Sequence, residues 1–295
     1  MPAEIISGKK ISEEIKAEIK SEVSILRARG IIPGLAAVLA GDNPASALYV
    51  KMKAKACEEV GIYSDVIAKD RSCGQSEILD LIDELNARDD IDGILVQSPL
   101  PDHLDEAAVT FEIDPGKDVD GLHPVNAGLL LAGRPAFEPA TPLGILELLD
   151  RSGHNPGGKS VVILGRGRLV GRPLAVMLAH KSSKANATVT VCHTGTKDIA
   201  WHTRNADIVI AAMGKARFLT GDMIRPGAVV IDVGTNQIDD PAHLRGKRVV
   251  GDVDFESVNE VAGALTPVPG GVGPMTIASL LQNTLKACRR RHNLD

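Results

Sequence analysis

The sequence reads as an α/β protein of two three-layer domains built on mainly parallel sheets. Three observations carry that reading. Short apolar runs alternate with helix-period segments along nearly the whole chain, the pattern of successive βα units. The 295 residues are enough for one large α/β domain or two medium ones with sizeable cores. The stretch from Asp114 to Pro142 is rich in Pro and Gly, carries little periodicity beyond Leu129–Leu131, and separates two series of such units as a ligand-lining loop and connector.

In chain order, residues 12–29 form an amphipathic helix that Gly30 and Pro33 stop. Residues 35–40 (LAAVLA) are a candidate strand, and GDNPAS opens a helix running to about Val60. A strand at 65–68, a helix at 76–87 and a buried-looking strand at 93–97, ending at Ser98-Pro99, complete a small βαβ domain. Thr141-Pro142 starts a helix, with Thr as N-cap and Pro at the first helical position. A strand at 161–164, a glycine loop at 165–171 and a helix from 172 to about 181 follow. Strands at 188–192, 208–212 and 229–233, a Pro/Gly loop at 264–274 and a last helix at 275–290 end the chain. That helix could fold back on the first domain, so the expected domains are 1–140 with 275–295, and 141–274.

The net charge is −5 and the basic residues are scattered, which argues against a nucleic-acid or anionic-membrane surface. The tight run Arg289-Arg290-Arg291 ends a helix, where cations complement the dipole. Cys57, Cys73, Cys192 and Cys288 form no C-x-x-C pair and have no histidines at ligand spacing, so free buried thiols in a reducing compartment are expected. No stretch approaches the roughly 18 apolar residues of a membrane span, and the N-terminal segment has no apolar signal core. A cytoplasmic location is the expectation.

Val161-Val-Ile-Leu-Gly-Arg-Gly-Arg-Leu-Val-Gly171 is strand, turn, helix, an arrangement that lets backbone approach a pyrophosphate at a helix N-terminus. Its G-x-G-x-x-x-G spacing is one residue longer than the dinucleotide fingerprint, and a glycine-rich turn that binds nothing stays open on this motif alone. The βαβ context makes the second domain Rossmann-like. The next strand ends in Cys192-His193-Thr194 without the carboxylate that would hold a ribose 2′-hydroxyl. Arg166, helped by Thr194 or His193, could meet a 2′-phosphate instead, which favours NADP over NAD.

In the helix after residue 43, Ser46, Tyr49, Lys53, Ala56 and Val60 share one face, while Lys51, Lys55 and Glu58 fall opposite. Lys53 therefore projects from a mainly apolar face beside one of two tyrosines in the chain. Partial burial would lower its pKa and make it available for proton transfer, although a lysine snorkelling at the domain rim fits the periodicity equally well. Tyr-x-x-x-Lys also occurs in short-chain dehydrogenases, but there it follows the glycine loop, and here it precedes it by more than a hundred residues. Asp118 and Asp120 stand two apart on a loop. No third ligand is placed to make them a metal pair, so Asp118 reads as a partner for Lys117 or a backbone turn, and His123 as a loop hydrogen-bonder.

Four further blocks are distinctive: Ile91-Asp-Gly-Ile-Leu-Val-Gln-Ser-Pro-Leu-Pro101, Lys117-Asp-Val-Asp-Gly-Leu-His123, Val230-Ile-Asp-Val-Gly-Thr-Asn236 and Pro267-Val-Pro-Gly-Gly-Val-Gly-Pro-Met-Thr276. With GDNPASALYVKMKAKACEEVGI, and in this order from about Ile6 to Cys288, they resemble the bifunctional methylenetetrahydrofolate dehydrogenase/methenyltetrahydrofolate cyclohydrolase family. The resemblance implies two α/β domains flanking a cleft, the first binding folate and the second NADP, and a homodimer acting on tetrahydrofolate derivatives, polyglutamylated forms among them. It implies that Lys53 is catalytic, that Gln97 works with it, that Tyr49 packs on the folate near Ser46, and that Asp120 binds the pterin-like ring. The loop containing Pro269, Gly270 and Gly271 would wall the folate. Gly165, Arg166 and Gly167, with Thr194 and Thr235, would hold the cofactor. Three positions depart from the usual pattern: Gly167 where many members carry a serine, Ser98 in place of leucine and Thr235 in place of isoleucine. A single-activity NAD(P)-linked dehydrogenase and a non-catalytic nucleotide-sensing module are the alternatives. The first conflicts with intact Lys53 and Gln97; the second leaves the folate-side residues unexplained.

Overall fold

The computed structural model describes residues 2–240 and 246–294. The chain forms two compact units, one of Glu13–Ala140 with Ile277–Asp295 and the other of Met1–Ser12 with Thr141–Thr276. The first strand, β1 (Glu4–Ile5), and the start of α1 (Gly8–Arg27) thus group with the second unit, not with the residues that follow them.

The first unit carries β2 (Gly34–Ala40), α2 (Pro44–Val60), β3 (Tyr63–Lys69), α3 (Gln75–Ala87) and β4 (Gly93–Val96). It continues with α4 (Glu106–Glu112) and α5 (Pro124–Leu131). Its three strands pair in parallel in the order β3-β2-β4, with Ala36 opposite both Asp65 and Ile94. Central β2 is an unbroken apolar run because it is covered on both faces. Edge strand β3 exposes Tyr63 and Val66. In α3, Ile78, Leu81, Ile82 and Leu85 recur at helical spacing and pack with Ala36, Val38 and Ile94 into one core.

The expected structureless stretch at 114–142 contains α5. Its cap is His123, whose Nδ1 accepts from the Val125 N–H at 3.0 Å, with Pro124 in the first turn. A histidine cap before a short, apolar helix gives no periodic signal, which is why α5 was not expected.

The second unit adds α6 (Ala140–Arg151), β5 (Ser160–Leu164), α7 (Gly171–Ala179), β6 (Thr188–Cys192), α8 (Ile199–Arg204), β7 (Ile208–Ala211) and β8 (Val229–Asp232). It ends with β9 (Asn236–Asp239), β10 (Lys247–Val250), α9 (Phe255–Asn259), β11 (Ala264–Leu265) and the first turn of α10 (Val272–Arg291). Its six-stranded sheet has the order β1-β11-β8-β7-β5-β6, parallel throughout, while β9 and β10 form an antiparallel ribbon. From β5 the chain goes to β6 on one side and then crosses to β7 on the other. That reversal leaves a crevice at the carboxyl ends of β5 and β7, where open α/β sheets bind ligands.

Two boundaries differ from expectation here. Residues 264–265, expected as loop, are a strand between β1 and β8, and two-residue strands leave no pattern to read. Helix α6 begins at Ala140, so Thr141 lies inside it, and the Thr141 hydroxyl hydrogen-bonds Thr276 Oγ1 at 3.1 Å instead of capping. All four cysteines are free and buried. Among the described residues no helix is long and apolar enough to cross a membrane.

Candidate active site

Helix α2 is fixed at its start by Asn43, whose side-chain oxygen accepts from the Ala45 and Ser46 N–H groups. That register buries Ser46, Val50, Lys53, Ala56, Cys57 and Val60, leaves Tyr49 half-buried and turns Lys51, Lys55 and Glu58 to solvent. Lys53 is only 7% exposed. Its ammonium donates to Gln97 Oε1 at 2.9 Å. Gln97 follows β4 directly; its backbone N–H is held by the Val38 carbonyl at 2.9 Å, and its Nε2 donates to the Ser98 carbonyl at 2.7 Å. The second bond fixes which end of the amide faces the lysine.

Burial lowers the Lys53 pKa from its ordinary value, opposed chiefly by the Asp120 carboxylate and then by Cys57. Burial raises the Asp120 pKa, opposed by Lys53 and reinforced by Asp118. Both groups are pulled toward their uncharged forms while each stabilises the charge of the other. Such a pair is better suited than a surface lysine to exchange protons with a ligand.

Asp120 is positioned by its neighbours. Lys117 donates to the carbonyls of Leu85 (3.2 Å), Asn86 (2.7 Å) and Arg88 (2.7 Å), closing the carboxyl end of α3. Asp118 is therefore a partner of the turn rather than of Lys117: it accepts from the Leu122 and His123 N–H groups and from Asn126 Nδ2. Asn283 of α10 donates to the Val119 carbonyl at 2.8 Å and the Glu138 carbonyl at 2.9 Å. Sequence reasoning missed Asn126 and Asn283. Their signal was a carboxamide at a position the structure buries. His123 Nε2 meets the Phe111 carbonyl, so this ring is a loop hydrogen-bonder. Among the described residues no group of three or more His, Cys, Asp or Glu is placed to hold a metal.

A surface depression of about 940 Å³ lies elsewhere, lined by Lys51, Lys55, Glu58 and Tyr63 on the solvent side of α2. It contains neither Lys53 nor Gln97 and has no bearing on the chemistry described above.

In the second unit the glycine loop leaves β5 at the switch point. Gly165 has φ +117°, and a Cβ there would lie 2.1 Å from the Ala212 carbonyl oxygen beyond β7. A Cβ on Gly171 would lie 2.2 Å from the Gly165 carbonyl oxygen, so these two glycines let α7 pack directly against the strand exit. Nothing lies within 4 Å of the corresponding point at Gly167. Helix α7 has no side-chain cap; the Arg172 N–H is held by the Gly167 carbonyl at 3.1 Å and Pro173 has none, which leaves the Gly171 N–H of this first turn for an anion. Arg166 and Thr194 are exposed, Arg166 without an ion pair among the described residues, and Thr235 is exposed after β8. His193 is engaged locally, its Nδ1 accepting from the Gly195 N–H. Open backbone at Gly167, an uncapped helix and an unpaired arginine suit a phosphorylated dinucleotide. Pro269, Gly270 and Gly271 belong to this unit, and the Gly270 carbonyl accepts from the Lys9 N–H at the start of α1.

Residues 6–120 match the family model described as tetrahydrofolate dehydrogenase/cyclohydrolase, catalytic domain, and residues 139–292 match the corresponding NAD(P)-binding domain. The chain belongs to the tetrahydrofolate dehydrogenase/cyclohydrolase family. Among relatives, it is 53% identical over 294 residues to the bifunctional protein FolD of Chlorobium limicola, covering 99% of both chains. It is 54% identical over 290 residues to that of Moorella thermoacetica, covering 98% of this chain and 100% of that one. Its fold is similar to a Trypanosoma brucei family member complexed with NADP cofactor and inhibitor, at TM-score 0.93 and 40% identity, covering 99% of each chain. The two-domain α/β architecture expected for the family, with a Rossmann-like NAD(P)-binding domain, is present. Lys53, Gln97 and Asp120 all lie in the part matching the family's catalytic domain.

Proposed function

We propose that this protein is a bifunctional enzyme that oxidises 5,10-methylenetetrahydrofolate to 5,10-methenyltetrahydrofolate with NADP, and hydrolyses the product to 10-formyltetrahydrofolate. The buried Lys53 ammonium, bonded to Gln97 and electrostatically coupled to Asp120, carries the reading. A dehydrogenase alone has little use for it, because oxidation of the methylene bridge is driven by the ring nitrogen lone pairs.

In the hydrolytic step, water attacks the cationic methenyl carbon and surrenders a proton to Lys53 in its amine form, the form that burial favours. Gln97 orients the amine and the attacking water. As the bond from that carbon to N5 breaks, the Lys53 ammonium returns a proton to N5, the hydroxyl proton of the tetrahedral adduct passes to solvent water, and the formyl group stays on N10. Asp120 holds the pterin through its amino and ring N–H groups, Tyr49 stacks on the ring, and Ser46, Pro269, Gly270 and Gly271 line the remaining contact. Gly165, Arg166, Gly167, Thr194 and Thr235 would hold NADP, which supplies the hydride acceptor when bound. Arg166, without an ion pair among the described residues, would meet the 2′-phosphate, and Gly167 would offer its backbone N–H where a serine hydroxyl is common. We further assign the protein to the cytoplasm, acting as a homodimer on folates that include polyglutamylated forms. The exposed edge of β3 and the depression beside it support an interface between copies.

The decisive experiment mixes the protein with methylenetetrahydrofolate and either NADP or NAD, and follows reduced cofactor, methenyl and formyl products together. Formyl product made with NADP is expected. Reduced cofactor accumulating with methenyl product alone would leave only the dehydrogenase.

A further inference from the structure

Two buried carboxylates at the carboxyl end of the six-stranded sheet are unused by the steps above. Asp252 is fully buried, and both of its carboxylate oxygens accept hydrogen bonds, from two different loops. One oxygen accepts from the Met213 N–H (2.7 Å) and the Gly214 N–H (2.8 Å), both in the turn that leaves β7. The other accepts from Asn236 Nδ2 at 2.8 Å, just beyond β8. Asp232, the last residue of β8, fixes Asp252 in turn. It accepts from the Asp252 N–H (2.9 Å), the Gly234 N–H (2.9 Å) and the Val253 N–H (3.1 Å). The fit is tight: a Cβ on Gly251 would lie 1.6 Å from Asp232 Oδ2. The Leu219 N–H donates to the Asp252 carbonyl at 3.0 Å, so the residue is immobilised at main chain and side chain alike.

The turn held by Asp252 is continuous with Ala212, whose carbonyl abuts Gly165 of the glycine loop. The β8 exit that it also holds contains Thr235. Both loops stand at the strand ends over which a dinucleotide extends once its pyrophosphate lies at the switch point. Charge on a buried acid facing several N–H donors makes these bonds strong and the loops stiff.

We infer that Asp252, with Asp232 behind it, is a positioning residue for the dinucleotide: it sets the loops after β7 and β8 and so governs NADP affinity and hydride transfer, not hydrolysis. The inference rests on the function proposed above. It predicts a separation that general loss of structure would not produce, because the hydrolytic residues Lys53 and Gln97 belong to the other compact unit.

The test uses the full chain with Asp252→Ala and Asp252→Asn. Alanine leaves the Met213 and Gly214 N–H groups without an acceptor. Asparagine keeps one carbonyl for them and can meet Asn236 if that amide turns over. For Asp252→Ala we expect NADP Kd and dehydrogenase KM for NADP to rise at least tenfold, with cofactor-free hydrolysis of methenyltetrahydrofolate within twofold of the unsubstituted protein. For Asp252→Asn we expect most of the affinity to return. Unchanged NADP binding in the alanine variant, or a parallel fall of hydrolysis and oxidation, would overturn the role of Asp252. Should the alanine variant fail to fold, Asp252→Ser takes its place, its hydroxyl stopping short of the Met213 and Gly214 N–H groups: a tenfold rise in KM for NADP with normal hydrolysis sustains the role, and unchanged KM overturns it. Absence of both activities from the unsubstituted protein would remove the functional assignment itself, and this inference with it.

Discussion

Replacing Lys53 by methionine isolates the chemical contribution of one ammonium. The side chains are of similar length, and the site is almost closed to solvent, so methionine fills the space between α2 and β4 with little rearrangement. What disappears is the 2.9 Å bond to Gln97 and the positive charge opposing ionisation shifts at Asp120. Removing a general acid–base group costs about 10² to 10⁴ in rate, equivalent to about 3–5 kcal/mol of transition-state stabilisation. Folding changes far less. Losing a donor to Gln97 costs about 1–3 kcal/mol, set against relief from keeping an ammonium in a poorly solvated position. Methenyltetrahydrofolate hydrolysis, followed by loss of its absorbance in the absence of cofactor, is therefore expected to fall at least a hundredfold. NADP affinity measured by calorimetry is expected to stay within twofold, because the glycine loop belongs to the other unit. Hydrolysis at the unsubstituted rate would refute the assignment of Lys53.

Three further perturbations follow from the same geometry. Asp120→Asn removes the carboxylate that supports the Lys53 charge, so the Lys53 pKa, already below its ordinary value, is expected to fall further; an upward or absent shift in NMR titration of the ligand-free protein would contradict the coupling. Arg166→Ala is expected to weaken NADP binding about 10- to 100-fold, the scale of a charge-assisted phosphate contact, while NAD changes little; equal losses would show that another group reads the phosphate. Gly171→Ala places a Cβ 2.2 Å from the Gly165 carbonyl oxygen, and separating α7 from β5 is expected to cost about 1–3 kcal/mol and to weaken both cofactors together, as read from thermal melting and calorimetry.

Much of this architecture was readable because its strands are covered on both faces and its helices are periodic. The unbroken apolar run at 35–40 reads as a strand, and the spacing of Ser46, Lys53 and Val60 puts them on one face of α2. What periodicity left undecided was whether Lys53 reaches solvent at a rim. That depended on Gln97, 44 residues away and on a different element, and no local pattern encodes such a pairing. The two-residue strands β1 and β11 were invisible for a related reason: their stability comes from neighbours in the sheet and not from their own composition. Helix α5 escaped because its cap is a histidine. The paired roles of Asp232 and Asp252 were equally hidden, since 20 residues separate them and only the fold brings both to one sheet end.

The pairing of β1 with β11 has a consequence for synthesis. Glu4 leaves the ribosome long before its sheet partner Ala264, which follows some 260 residues later. Arg291, near the other end of the chain, completes an ion pair with Asp92 at 2.7 Å. The second unit cannot close before β11 is made nor the first before α10, so the nascent chain stays unsealed until those elements emerge. A premature stop before β11 would leave both units unfinished, whichever of the two activities its missing codons nominally serve.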